Sequence, residues 1–157
     1  MKIAFCLYGL AGGTNDKHGG LKVDYKIAYE YYAKHFFNKY DIDIFIHTWS
    51  VEFKEEITQI YKPKKALFEK QKMFDHKPSR KHGIYSRWYS TKKVIELKSK
   101  YEKQNKIEYD FVFLTRFDVA FFSEIKFHDY NPGNFYASHW TYYKNILGQK
   151  IRNRNSL

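Results

Sequence analysis

Cysteine and proline are scarce in this chain of 157 residues. Cys6 is its single cysteine, which excludes an intrachain disulfide and a zinc site built from cysteines, and favours a reducing compartment. The three prolines, Pro63, Pro78 and Pro132, each fall where a loop is expected. No apolar run approaches the ~20 residues that a membrane-spanning helix needs. The apolar start of the chain lacks a clean small-residue cleavage site, so we expect a first strand there and no signal peptide.

Several nucleotide-binding and nucleic-acid-binding signatures are also missing. The first glycines fall at 9, 12 and 13, a spacing that fits neither GxGxxG nor the Walker GK[ST] motif. The chain has no RNP, KH or helix-turn-helix signature. Acidic residues are few, 17 against 28 Lys and Arg, which gives a net charge of +11. This excess indicates an anionic partner, and composition leaves open whether that is nucleic acid, a phosphorylated small molecule or an acidic membrane surface.

Aromatic residues, by contrast, make up 20% of the chain, a share that disfavours disorder, because disordered segments are poor in aromatic residues. Apolar runs predict strands at Lys2–Tyr8, Asp41–Trp49, Ala66–Glu69, Phe111–Leu114 and Asn134–Ser138. Helical spacing predicts helices at Val23–Asn38, Glu55–Tyr61 and Tyr85–Tyr101, with Lys70–His82 as an exposed loop. The Phe111–Leu114 strand lies in the most hydrophobic segment, so we expect it at the centre of the sheet. The alternation predicts an α/β fold with a mainly parallel sheet, in one domain over 1–149 with a basic tail at 150–157.

Ligands of such sheets bind beyond the carboxyl ends of the strands. Tyr8 and Gly9 end the first predicted strand and open a glycine-containing loop, which fits either a close backbone approach to a ligand or a plain turn. His47, Thr48 and Trp49 end the second strand. A histidine, a hydroxyl and an indole at a strand end can hold a base and its ribose; the alternative is a buried tryptophan beside a hydrogen-bonded histidine.

Two opposite charges, Arg116 and Asp118, follow the Phe111–Leu114 strand. Burying a charge is costly unless it is paired or bound. The two side chains can meet a diphosphate and its divalent cation, because magnesium commonly takes one or two carboxylates together with phosphate oxygens. The alternative is that they pair with each other.

The third predicted helix carries hydroxyls and cations on one side. Ser86, Ser90 and Lys93 are spaced i, i+4 and i+7 and therefore share a face, with Arg87 beside them. Such a stripe suits phosphates, and a solvated amphipathic face is the alternative. Cys6, in an apolar strand, is expected to be buried and inert.

Four motifs in order resemble GT-A-type glycosyltransferase-like proteins of bacterial and viral polysaccharide synthesis. They are KIAFCLYG at 2–9, DIFIHTWS at 43–50, SRWYSTKKVIEL at 86–97 and YDFVFLTRFDVAFF at 109–122. The resemblance covers about 120 residues. It implies a Rossmann-like nucleotide-diphosphosugar fold, with a UDP- or GDP-sugar donor near Tyr8, Gly9 and Thr48. The implied reaction moves the sugar to the hydroxyl of a glycan or lipid-linked acceptor.

The resemblance also implies roles for the two charges. Asp118 stands where the second acid of the family's Asp-x-Asp motif binds Mn²⁺ or Mg²⁺ with the diphosphate. Arg116 replaces the first acid, and arginine can neutralise phosphate without a metal. With 39 residues after Asp118, the downstream candidates for a general base are Asp129 and His139. The chain fits a truncated domain, a minimal enzyme or a donor-binding module that needs a partner.

Two other functions stay open at this point. A basic nucleic-acid-binding module would use aromatic stacking and lysine–phosphate contacts, although most aromatics fall in predicted core elements. A remnant of the transferase fold would bind nucleotide without turnover. The expected location is cytoplasmic, with peripheral binding to an anionic membrane as a further hypothesis.

Overall fold

The computed structural model describes residues 1–13, 23–74, 80–137, 142–144 and 150–152. The chain divides into two compact units, Met1–Phe127 and His128–Leu157. The strands of the described residues are β1 Lys2–Gly9, β2 Gly12–Gly13, β3 Val23–Asp24, β4 Asp41–Thr48, β5 Lys65–Phe68, β6 Phe111–Arg116, β7 Tyr142–Lys144 and β8 Lys150–Arg152. The α-helices there are α1 Tyr25–Tyr32, α2 Lys54–Tyr61 and α3 Arg80–Asn105. A π-helical turn, Ala33–Phe37, continues α1, and 3-10 turns occur at Val51–Phe53 and Phe127–Asp129.

Within the described residues, four strands form one parallel sheet in the order β5-β4-β1-β6. β1 pairs with β4 on one side and β6 on the other, and β4 pairs with β5, all in parallel. The short pairs β2–β3 and β7–β8 are antiparallel and lie outside this sheet. The α/β fold with a parallel sheet and flanking helices is therefore confirmed.

The two inner strands, β1 and β4, are largely apolar and are buried on both faces, because both faces of the sheet are covered there. Ile3, Phe5 and Leu7 of β1 pack into a cluster with aromatic side chains of α1 and the π-helical turn, such as Tyr32 and Phe36. The alternate residues of β1 pack against α3, in a second cluster that contains Ala4, Cys6, Tyr8 and Val94. Helices therefore cover both faces of the sheet, with α3 on one face and the α1 segment on the other.

The entry to α1 follows from a capping residue. Asp24 caps the helix, and its Oδ1 accepts a hydrogen bond from the backbone N–H of Lys26 at 2.9 Å. A carboxylate here satisfies a helix N–H that lacks an internal acceptor and favourably meets the positive end of the helix dipole. The helix predicted over Val23–Asn38 is present in part, because that span also includes two strand residues and a π-helical turn.

The expected central position of the Phe111–Leu114 strand is wrong. Its strand, β6, lies at the edge of the sheet, and Val112 and Leu114 are 44% and 41% exposed. The aromatic residues of the strand, Phe111 and Phe113, pack in the cluster beneath α1. Helix α3 packs on β1, β4 and β5, so the other face of β6 meets solvent. The most buried strands are instead β1 and β4.

Two further expectations need correction. Residues 134–137 form no strand in the described structure, and the rest of the predicted strand, Ser138, lies outside the described residues. The loop expected over Lys70–His82 ends early, because α3 begins at Arg80 and His82 is buried. The third predicted strand, Ala66–Glu69, is present one residue earlier as β5.

The second unit has its own local contacts. The rings of Tyr130 and Tyr136 lie 4.8 Å apart, edge to face, and the Tyr136 hydroxyl accepts a hydrogen bond from the N–H of Asn131 at 2.9 Å. Strand β8 falls within the segment that the sequence suggests as a basic tail. The predicted domain limits at 149 and 150 stay a prediction.

Candidate functional site

Strand register brings the predicted site residues together at the carboxyl ends of the strands, which we call the carboxyl edge of the sheet. Tyr8 of β1 lies beside His47 of β4 on one side and beside Arg116 of β6 on the other. Gly9 lies beside Thr48, at the carboxyl end of both strands. The chain runs outward from β1 through β4 to β5 and then returns to the opposite side of β1 as β6. The point where the strand order reverses is therefore between β1 and β6, the usual ligand position in open α/β sheets.

The glycine segment after β1 is held in place by the protein itself. Gly9 has a φ of 100°, its N–H donates to the Oγ of Ser90 at 3.0 Å, and its carbonyl accepts from the N–H of Trp49 at 3.2 Å. The Oγ of Ser50 accepts from the N–H groups of Ala11 and Gly12, at 3.1 and 3.3 Å. These N–H groups are satisfied within the fold, so the protein itself fixes the segment from Gly9 to Gly12. Gly13 continues into β2, and Gly19 and Gly20 lie outside the described residues.

His47 is fully buried at the end of β4. Its Nδ1 lies 2.6 Å from the Oγ of Ser90, and its Nε2 lies 3.7 Å from Oε1 of Glu69. No hydrogen-bond partner for Nε2 occurs in the described part of the chain. Burial lowers the pKa of His47 to about 4, against the opposing effect of the nearby Glu69 carboxylate. The ring is therefore neutral at pH 7.

Ser90, His47 and Glu69 thus form a row that resembles a catalytic serine–histidine–carboxylate set in order alone. Ser90 is completely buried, and its oxygen already accepts the N–H of Gly9. A nucleophile must reach its substrate and be hydrogen-bonded to a working base. Because Ser90 and His47 are both fully buried, a substrate has no access to them, and their contacts tie α3 to the carboxyl ends of β1 and β4.

Trp49 lies inside an aromatic cluster at the same edge. Its ring stacks on Tyr89 of α3 with centroids 5.4 Å apart and meets His47 edge to face at 4.8 Å. Trp49 is buried and Thr48 is fully buried, with the Thr48 Oγ1 accepting from the N–H of Ser50 at 3.1 Å. His47, Thr48 and Trp49 are therefore buried at the carboxyl end of β4. This arrangement matches the alternative given by the sequence, a buried tryptophan beside a hydrogen-bonded histidine.

Sequence reasoning missed a polar cluster beside Trp49, formed by Tyr89, Glu69 and Lys72. The Tyr89 hydroxyl donates to Oε2 of Glu69 at 3.2 Å, and the Lys72 ammonium lies 2.9 Å from the same oxygen. Lys72 also lies over the Tyr89 ring, 4.5 Å from its centroid. The position of Glu69 directly after a short strand is the one sequence signal that could have found it.

Arg116 and Asp118 are joined to each other. The Arg116 Nε donates to Oδ1 of Asp118 at 2.7 Å, and Nη2 donates to Oδ2. The side chains are 37% and 24% exposed, so the pair lies at the surface. Partial burial acts to lower the pKa of Arg116, and the bonded carboxylate outweighs it, so the pKa lies above its ordinary value. Tyr32 fixes the backbone here, because its hydroxyl donates to the carbonyls of Arg116 and Val119, each at 2.5 Å.

The predicted stripe on α3 is divided between core and surface. Ser86 and Ser90 are buried against the sheet, while Arg87 is exposed. The Lys93 ammonium lies 3.1 Å from Oε2 of Glu96 and 5.5 Å from the centre of the Tyr89 ring. Of this set, the cations Arg87 and Lys93 are the side chains that a phosphate could reach.

The described residues of the candidate site do not supply enough protein ligands to hold a metal ion by themselves. Among the described residues, no three His, Cys, Asp or Glu side chains are grouped closely enough to hold an ion. Asp118 brings one carboxylate, with both oxygens facing Arg116. Its expected role as a ligand of Mn²⁺ or Mg²⁺ stays a prediction, and most ligands of such an ion would come from diphosphate and water.

The remaining candidates are Cys6 and the two downstream general-base candidates, Asp129 and His139, whose role stays a prediction. Burial raises the pKa of the Cys6 thiol to about 12, so this cysteine is an inert core residue. Asp129 is exposed in the second unit, and His139 lies outside the described residues. Within the described chain, no helix has the length and apolar character that crossing a membrane requires.

Comparisons with known proteins give no relative from which a role could be carried over. No family model matches the chain, no curated protein matches its sequence and no solved structure matches its fold at a significant level.

Proposed function

We propose that this chain binds a nucleotide-diphosphate sugar at the carboxyl edge of the sheet, between β1 and β6, and serves sugar transfer to a hydroxyl acceptor in glycan synthesis. The observation that carries the proposal is the Arg116–Asp118 pair, which stands partly exposed beside Tyr8 at the point where the strand order reverses. The four-motif resemblance supports the choice of a nucleotide sugar among phosphorylated ligands.

Arg116 is the group suited to the diphosphate. A guanidinium carries five N–H donors in a fixed plane, and two of them are used by Asp118. The remaining N–H groups can donate to phosphate oxygens, and Asp118 holds the plane in one orientation. A positive group fixed in this way stabilises the charge that develops on the leaving diphosphate as the sugar departs.

A divalent cation would complement this arrangement. The Asp118 carboxylate reduces the positive charge available from Arg116, and Mn²⁺ or Mg²⁺ carried in with the donor would supply charge stabilisation at the leaving diphosphate. Arg87 and Lys93 are the further cations on the α3 side. The buried residues His47, Thr48 and Trp49 shape the edge and are assigned no direct contact with the base.

The test is calorimetric titration of the protein with UDP and GDP, each with and without Mn²⁺. We expect Arg116→Ala to weaken binding by about tenfold or more, because a charge-assisted bond to phosphate is lost. The matched control is Lys39→Ala. Lys39 forms a surface ion pair with Glu124 at 2.6 Å and precedes β4, so it lies at the opposite edge of the sheet. No heat with any nucleotide at high protein concentration would reject the proposal.

Turnover needs its own measurement. Release of free sugar from UDP- or GDP-sugars, followed over time, separates a transferase from a fold that binds nucleotide without reaction. Hydrolysis that disappears in Arg116→Ala and persists in Lys39→Ala is the expected result. Binding without any turnover, with a panel of donors and hydroxyl acceptors, would reduce the function to nucleotide-sugar binding.

A further inference from the structure

The outer face of the first half of α3 exposes three large apolar side chains. Ile84, Tyr85 and Trp88 are 46%, 54% and 66% exposed. Ile84 and Trp88 are four residues apart and Tyr85 and Trp88 three, so the three side chains are neighbours on the helix surface. A contiguous apolar patch on a surface marks an interaction site, in contrast to single exposed residues. We call these three residues the α3 patch.

Positive charge surrounds the α3 patch. The helix sequence contains eight Lys and Arg and two Glu, so it carries much of the +11 net charge of the chain. Glu96 pairs with Lys93 at 3.1 Å, and Glu102 pairs with Lys98 at 2.7 Å. Arg87 and Lys92 are exposed at the level of the patch. The charge of this face therefore calls for an anionic partner.

We infer that the α3 patch and its flanking cations dock on the surface of an anionic lipid bilayer. Tryptophan and tyrosine favour the boundary between headgroups and acyl chains, an isoleucine can enter the acyl region, and Lys and Arg attract anionic headgroups. The helix is too highly charged to span and would lie in the plane of the interface. Single-stranded nucleic acid, by comparison, is held in a groove with stacking rings, whereas this face is a convex helix surface.

Docking in this way would place the candidate site close to the membrane. Ser90, two residues after Trp88 on the same helix, contacts Gly9 at the carboxyl edge of the sheet. The inference rests on exposure and charge in α3 and does not depend on the proposed function. If both hold, transfer to a lipid-linked acceptor becomes the favoured reaction, because donor site and bilayer would lie on neighbouring surfaces.

The test is co-sedimentation with vesicles of phosphatidylcholine containing about one third phosphatidylglycerol, beside vesicles of phosphatidylcholine alone. We expect binding to the anionic vesicles, a blue shift of tryptophan emission, and weaker binding at higher salt. The double variant Tyr85→Ser/Trp88→Ser should lower the partition coefficient by roughly tenfold or more. Lys92→Gln, which removes one cation, should lower it by about fivefold.

Matched controls come from the opposite face of the sheet. Phe122→Ser removes an aromatic side chain that is 80% exposed, and Lys34→Gln removes an exposed lysine from the π-helical turn. Both should bind vesicles like the wild type. Calorimetry with UDP and GDP on the Tyr85/Trp88 variant should match the wild type, and Arg116→Ala should keep vesicle binding, so that failure of either proposal is visible separately.

Three results would overturn the inference. The first is the absence of binding to anionic vesicles. The second is equal binding by the wild type and the Tyr85/Trp88 variant. The third is preference for another occupant: tighter binding of oligonucleotides that depends on the same residues, or a dimer in sedimentation that the Tyr85/Trp88 variant converts to monomer.

Discussion

Ser90 of α3 and His47 of β4, 43 residues apart in the chain, meet through a contact of 2.6 Å between Oγ and Nδ1. The same serine oxygen accepts the N–H of Gly9. One hydroxyl therefore joins a helix to two neighbouring strands where they reach the candidate site.

Removal of that hydroxyl should destabilise the fold. Ser90→Ala leaves the part-buried N–H of Gly9 and the buried ring of His47 without this partner, and we expect the free energy of unfolding to fall by about 1–3 kcal/mol. Urea denaturation measures the change. Ser99→Ala, on the same helix and partly exposed, should stay within about 0.5 kcal/mol of the wild type. An equal, small effect of both variants would contradict the structural role of Ser90.

Acid should destabilise the protein through His47. The unfolded chain takes up a proton at this residue near pH 6.5, whereas burial keeps the folded ring neutral to about pH 4. The stability that depends on the neutral His47 ring is therefore fully present above pH 6.5 and is lost as the pH falls towards 4. The slope from this group approaches about 1.4 kcal/mol per pH unit. Urea denaturation at pH 7, 6 and 5 measures the slope.

The assignment of that slope to His47 has a direct check. An NMR titration should show that the His47 ring does not titrate between pH 8 and 5. His128→Gln, which changes an exposed histidine, should leave the pH dependence of stability intact. Protonation of His47 near pH 6.5 in the folded protein would show that the prediction is wrong.

Two glycines should respond differently to alanine. Gly9 has a φ of 100°, and a Cβ built there meets nothing within 4 Å, so Gly9→Ala costs backbone strain of about 1–2 kcal/mol. A Cβ on Gly12 would lie 2.6 Å from Cε2 of Phe53, so its cost is steric. Combination with Phe53→Ala should relieve the Gly12→Ala penalty and leave the Gly9→Ala penalty unchanged. Additive double variants at both positions would refute this distinction.

A buried carboxylate stabilises the other end of the sheet. Asp43 accepts the Tyr109 hydroxyl at 2.7 Å and lies 3.2 and 3.4 Å from the ammonium groups of Lys2 and Lys64. Burial acts to raise its pKa, and these bonds outweigh burial, so the pKa lies below its usual value. Asp43→Ala should cost about 3 kcal/mol in thermal or urea unfolding. Asp41→Ala, at an exposed position two residues earlier, should cost under about 0.5 kcal/mol.

The sequence predicts the inner strands well. β1 and β4 are covered on both faces, and a nearly continuous apolar run is typical of such a strand. The sequence misplaces β6 for the same reason. Val112 and Leu114 are as apolar as core residues, and the local sequence pattern does not indicate which strands α3 covers. Coverage is a property of the assembled layers, so an edge strand with apolar residues on both faces resembles a central one.

The candidate site shows a similar division. Gly9, His47 and Arg116 are predictable as neighbours, since the ends of parallel strands share one edge. The contacts of Ser90 with His47 and of Glu69 with Tyr89 join distant segments and depend on the rotation of α3. Ser86 and Ser90 of that helix face inward and Trp88 faces outward, which reverses the usual assignment of polar residues to solvent and apolar residues to core.

The edge position of β6 leaves the sheet open to extension. In the described part of the chain no strand pairs with its outer side, and its sequence, FVFLTR, contains neither the lysine nor the proline that often block such sides. An incoming strand would find a row of backbone donors and acceptors ready for pairing. Because β6 ends at Arg116, a strand that extends the sheet there would also border the candidate site.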